Sequence, residues 1–261
     1  MAKRLKPISH EDQLPLVDHL DELRGRLIVC LVVFGVSLAL CFWQNHLILQ
    51  VLNLPLASIP TLPEGFKPLT LSPTEGFLTT FTVAGYFGIM LALPVLLYQV
   101  YAFVLPAFTP SERRVAVPLL LMVPFLFLAG SAFCFFVMLK PALQFLLTFN
   151  SSEFNTQLQA RDYYSFVAMT MIAMGLLFQL PIAVLAITRL GIVTPEQLRK
   201  NRRYAVLVLA IVAALLPTID PVTMLLEMIP LLLLYELSIW MAVAFGRPAE
   251  DLTEPTGADT G

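Results

Sequence analysis

The chain has 261 residues, of which 58% are hydrophobic and only 13% charged, with a net charge of −2 and a mean hydropathy of +0.80. A soluble domain of this length carries about a quarter charged residues, so a soluble globular fold is excluded. The slightly acidic balance argues against a nucleic-acid partner.

Apolar runs of about 20 residues cross a bilayer as helices, because lipid offers no partner to an unpaired backbone group. The runs here are continuous rather than alternating, which rules out an outer-membrane barrel. The expectation is an all-α polytopic integral membrane protein with six transmembrane helices. In chain order they are Leu27–Leu49, Gly76–Leu105, Val115–Leu139, Tyr163–Leu190, Tyr204–Leu216 and Val222–Phe245. Residues 1–246 read as one six-helix membrane domain that includes an amino-terminal amphipathic helix at the interface, after which the chain turns into the membrane. Residues 247–261 read as a disordered cytoplasmic tail. The first 26 residues are polar and the run from Leu27 is too long for a cleavable leader, so the first span is expected to stay as an anchor.

Of the 16 lysines and arginines, Lys67, Lys140 and Arg161 fall on one side of this topology and the other 13 on the opposite side. The positive-inside rule then places both termini in the cytoplasm. Helix starts are legible as capping boxes with an early proline at Ser72–Glu75, Thr109–Glu112 and Thr194–Gln197, and as a simple N-cap at Asp220. The second and fourth spans are long enough to tilt or kink, with Pro94 and Pro181 as kink sites. The fifth holds only about 18 Å of apolar helix, short of the ~30 Å hydrocarbon core. The proline-rich segment Gln44–Glu75 reads as a stiff outer cap.

Three groups of residues could carry function. In His19–Leu27 two acids and two arginines precede the first span, and Glu22 and Arg26 stand one helical turn apart. Read blandly, this is a surface ion pair. Glu112, Arg113 and Arg114 follow Thr109-Pro110-Ser111, where a capping acid and inside-facing cations belong in any case. Inside the spans lie Gln179, Glu227 and Glu236. A carboxylate at membrane depth is expensive and faces a partner or a wet cavity. Cys30, Cys41 and Cys134 sit in apolar runs without metal or redox spacing.

The residues His19–Leu27, Pro94–Phe103, Pro106–Arg114, Phe178–Pro181, Gly191–Lys200 and Tyr235-Glu236 together resemble TatC, the multi-spanning subunit of the twin-arginine protein translocase. Order and spacing agree from about residue 14 to 246. The resemblance implies a receptor rather than an enzyme, without a cofactor, in the bacterial cytoplasmic membrane. It implies binding of twin-arginine signal peptides on folded precursors at the cytoplasmic face. It also implies assembly with TatA and TatB single-span subunits and with other copies of itself, driven by the proton-motive force. Glu22 and Glu112 match the acids that contact the arginine pair, and Arg24 and Phe103 match other recognition positions. Gln179 stands where many relatives have glutamate. Met224 occupies a polar site associated with partner docking, a role reassigned here to Glu227 one turn on. Asp220 matches a position important in the family. The competing reading is a six-span secondary transporter or channel using Glu227 and Glu236 as coupling acids.

Overall fold

The computed structural model describes residues 10–60, 62, 63, 65–104, 110–150, 153, 157–189, 191–216 and 220–245, with side chains at 21–103 and 121–244 within those ranges. The chain forms eleven α-helices among these residues. They are α1 (His10–Trp43), α2 (Asn45–Leu52), α3 (Leu54–Ala57), α4 (Glu75–Val104), α5 (Pro110–Phe133), α6 (Leu139–Thr148), α7 (Ala160–Leu177), α8 (Leu180–Arg189), α9 (Pro195–Lys200), α10 (Arg202–Ala214) and α11 (Pro221–Phe245).

Among the described residues, five segments are long and apolar enough to cross a membrane: Asp21–Trp43, Glu75–Phe103, Leu121–Thr148, Ala160–Arg189 and Pro221–Ala244. The sixth, α10, has 13 residues and rises only about 20 Å, so the short fifth span expected from the sequence is present as a short helix. The protein is thus a helical membrane protein.

Three elements differ from the sequence reading. No turn separates an interfacial helix from the first span, because α1 runs unbroken for 34 residues, about 51 Å. The segment Asp21–Arg26 is made of good helix formers around one glycine and is tied internally by the Glu22–Arg26 pair, so nothing stops the helix. The third span does not end near Leu139. It passes through a π-helical turn at Cys134–Met138 and continues as α6. Lys140-Pro141 looks like a stop in the sequence, yet Pro141 lies in the first turn of α6, where its missing N–H is tolerated, and the wider turn before it absorbs the register change. Of the two proline kink sites, Pro181 follows a real break at residues 178 and 179, whereas Pro94 lies inside the unbroken α4.

The helix α1 packs along α4, α4 packs on α5 and α7, and α8 and α10 pack on α11. Without a hydrophobic force between helices in lipid, close approach depends on small residues. At the α5–α7 crossing Gly130 and Gly175 face the opposing helices so closely that an added Cβ would lie 2.7 Å from the Met174 carbonyl oxygen or 2.5 Å from the Phe127 ring. Ser131 Oγ donates to the Met171 carbonyl across the same crossing at 3.1 Å.

The described residues between α1 and α4 pack onto α7. Leu52, Leu56 and Ile59 are buried against Tyr163 and Val167 of α7. Tyr163 Oη donates to the Leu52 carbonyl at 2.6 Å, and Tyr164 Oη donates to Asn53 Oδ1 at 3.1 Å. Two backbone bonds of 2.8 Å join Leu69 to Leu158 and Ala160. Glu75 completes the closure, its carboxylate accepting from the Leu71 and Ser72 backbone N–H groups and from Gln159 Nε2. Glu75 therefore binds Ser72 as a capping acid does, and it also pins the start of α4 to the start of α7.

Candidate functional site

The charged stretch of α1 lies against the carboxyl end of α4. Arg26 organises it. Its Nε and Nη2 both donate to Glu22 Oε1, the former at 3.0 Å. Its Nη1 donates to Gln99 Oε1 at 3.0 Å, and Nη2 also reaches the Ala102 carbonyl at 3.4 Å. One guanidinium thus holds an acid on its own helix and a neighbouring helix 73 residues away. The fork geometry of arginine permits this, whereas the point charge of lysine would not.

Glu22 keeps 39% of its side-chain surface exposed while Arg26 is the more buried partner. An exposed pair of this kind contributes only about 0–1 kcal/mol, so its partner is exchangeable at small cost. Arg24 is exposed on the same helix, and Phe103 is half-buried next to Ala102. Glu112 and Arg113 fall in the first turn of α5, which follows the end of α4 after a short connection and packs on α4. The first turn of α5 therefore belongs to the same end of the bundle as Glu22. The side chains of Glu112 and Arg113, and the residue Thr109 of the expected capping box, lie outside the described residues.

The intramembrane polar residues separate into distinct environments. Gln179 sits in the break between α7 and α8 and is 6% exposed. Its Nε2 donates to the Val123 carbonyl at 3.0 Å, while its Oε1 is buried without a partner. It therefore ties α5 to the break before Pro181. Asp220 caps α11, its Oδ1 accepting from the Thr223 N–H at 2.7 Å, while Oδ2 is buried without a partner among the described residues. Met224 is half-buried against the cluster around Leu209, Ala213 and Leu231.

Glu227 is fully enclosed at 0% exposure, on the side of α11 that faces the bundle and Cys134. The exposed large hydrophobic side chains on this part of α11 are Val222, Leu225 and Ile229. Glu236 is not deep in the bundle. Its side chain is 43% exposed and pairs with Arg202 Nη2 at 2.9 Å, joining the start of α10 to the later turns of α11.

Sequence reasoning missed Gln99 and the role of Arg26 as a pin between helices. The available signal was a lone amide near the end of an apolar helix, in Leu97-Tyr98-Gln99-Val100. The bifunctional Glu75 was likewise read only as a local cap.

Residues 18–230 match the family described as Sec-independent protein translocase protein (TatC). A protein of that name from Desulforapulum autotrophicum is 34% identical over 237 residues, covering 91% of this chain and 87% of that protein. Another from Aquifex aeolicus is 34% identical over 241 residues, covering 92% and 99% respectively. A crystal structure described as the twin-arginine translocase receptor TatC is similar with a TM-score of 0.74 and 34% identity, covering 88% of this chain and all of that one. With the family match and the helical membrane fold in agreement, the chain belongs to the TatC family of Sec-independent protein translocase proteins.

Proposed function

We propose that this chain is the receptor and core subunit of a twin-arginine translocase, binding the paired arginines of signal peptides on folded precursors. One observation carries the reading. Glu22 is presented on an unbroken helix, held by an arginine that is itself fastened to α4 just before the connection to Glu112. Carboxylates accept guanidinium groups bidentately. Arg26 already occupies one oxygen of Glu22, Oε1, and it acts as a placeholder that keeps the acid oriented until a signal peptide arrives. Glu112 reads the second arginine from the first turn of α5, with Arg24, Phe103 and Arg113 lining the approach.

The reading includes both termini on the cytoplasmic side of the bacterial inner membrane, assembly with TatA and TatB single-span subunits and further copies of the chain, and transport driven by the proton-motive force. Glu227, together with Met224, Gln179 and Asp220, marks the positions at which partner helices and the apolar part of the signal peptide are read. The transporter alternative is weakened by Glu236, which is half-exposed and tied to Arg202 instead of lining a path with Glu227.

The test is photocrosslinking from positions 22 and 112 in native membranes. A twin-arginine precursor should be captured and a twin-lysine version should not. Equal capture of both removes the proposal.

A further inference from the structure

At the membrane face opposite Glu22, where α4 and α7 begin, lies a cavity of about 400 Å³. Its polar wall consists of Ser72, Glu75, Thr79, Thr82, Gln159 and Arg161. We propose that this cavity is a headgroup site for a zwitterionic phospholipid of the ethanolamine class, with phosphate on Arg161 and Thr79 and the ammonium turned toward Glu75.

Three observations lead there. Thr79 is 5% exposed, yet its Oγ1 has no hydrogen-bond partner. A buried hydroxyl left unmatched is costly, and this one stands one turn beyond Glu75 on the wall of a cavity large enough to hold a ligand. Arg161 lines the same cavity, is exposed, and forms no ion pair among the described residues. Glu75 supplies a fixed negative charge, since three donors hold its carboxylate in place. One carboxylate and one guanidinium on one wall match a headgroup that carries both charges. A purely anionic headgroup gains Arg161 but is repelled by Glu75.

The level and the rim indicate a lipid instead of a soluble phosphoester. Glu75 and Ala160 are the first residues of two candidate spans, so the cavity opens at the interface where headgroups reside. Leu71 and Leu78 form its apolar edge, and Leu78 with Phe81 one turn further along α4 are exposed within the span and face the acyl region. A lipid seated here lays a chain along α4 below its headgroup.

The experiment is native mass spectrometry of the full chain released from vesicles of phosphatidylethanolamine and phosphatidylglycerol in equal amounts. The unaltered protein should retain the ethanolamine lipid about tenfold over the glycerol lipid, the size of one charge-assisted bond. Arg161→Gln should lower that retention about tenfold and Thr79→Val severalfold. Thermal unfolding in lipid-free detergent should stay level or rise for Thr79→Val, because an orphaned hydroxyl is removed. Equal retention of the two lipids, or unchanged retention in both variants, overturns the proposal. So does soluble phosphoethanolamine binding as tightly as the lipid, which would assign the cavity to a water-soluble ligand.

Discussion

Arg26 Nη1 donates to Gln99 Oε1 at 3.0 Å, so the residue that orients Glu22 is also the fastening between α1 and α4. Under the proposed function, stability and recognition meet in one side chain, and substitutions on either side of it should separate them. Gln99→Leu removes an acceptor from a partly buried guanidinium and should cost about 1–3 kcal/mol, read as a lower thermal unfolding midpoint. Glu22→Gln removes only an exposed charge, so unfolding should shift by less than about 1 kcal/mol. Affinity for a twin-arginine peptide should nonetheless fall about tenfold or more, the weight of one charge-assisted bond. If Glu22→Gln bound the peptide as well as the unaltered protein, the acid would serve only to hold Arg26 and α1 in place.

The α5–α7 crossing sets a second expectation. An alanine at Gly130 would place its Cβ 2.7 Å from the Met174 carbonyl oxygen, a backbone atom that cannot rotate aside. The helices must then separate, which should cost about 1–3 kcal/mol in thermal unfolding. Gly25→Ala is the control, since nothing lies within 4 Å of a Cβ there. It should stabilise by up to about 1 kcal/mol from helix propensity. Equal effects of the two substitutions would mean that backbone entropy, not helix contact, governs both sites.

The contrast between these residues also marks what the sequence could disclose. The helical membrane class, the short α10 and the caps at Thr194 and Asp220 were legible, because each depends on local spacing and on the length of an apolar run. The Thr194 box forms with both of its bonds. The Arg26–Gln99 bond was not legible, since 73 residues separate its ends and no periodicity records a contact between two helices. Glu236 illustrates the same limit. Its place in an apolar run made it look deep, but its pairing with Arg202 depends on the shortness and position of α10, which only the packed fold determines. The sequence placed Glu227 in an apolar run, while its complete enclosure followed from the rotation of α11 about its own axis. The third span was misjudged because Lys140-Pro141 carries the local signature of a stop, and the π turn that accommodates it has no signature of its own.

The cap between α1 and α4 gives a third prediction. Tyr163 Oη and the Leu52 carbonyl are both buried, at a separation of 2.6 Å. Tyr163→Phe leaves that carbonyl unmatched and should cost about 1–3 kcal/mol. The loss should appear as faster amide hydrogen exchange in residues 45–57, with exchange in α10 unchanged. Tyr164→Phe should have the smaller effect, because its partner Asn53 is half-exposed and can turn to water. If the order were reversed, the cap would be held from the Asn53 side and the packing of Leu52 would be secondary.

Asp220 tests whether a cap and a functional charge can be told apart. Its Oδ1 accepts from the Thr223 N–H at 2.7 Å, a bond that asparagine can reproduce and alanine cannot. Asp220→Ala should therefore lower stability by about 1 kcal/mol, whereas Asp220→Asn should unfold with the unaltered protein. The second oxygen, Oδ2, is buried without a partner among the described residues, and asparagine replaces it with a donor and removes its charge. Export of a twin-arginine precursor by the asparagine variant then isolates that oxygen. Loss of export at full stability assigns Oδ2 to a contact made only in the assembled translocase. Normal export reduces Asp220 to the end of a helix, and the whole effect of the alanine variant must then come from the lost cap.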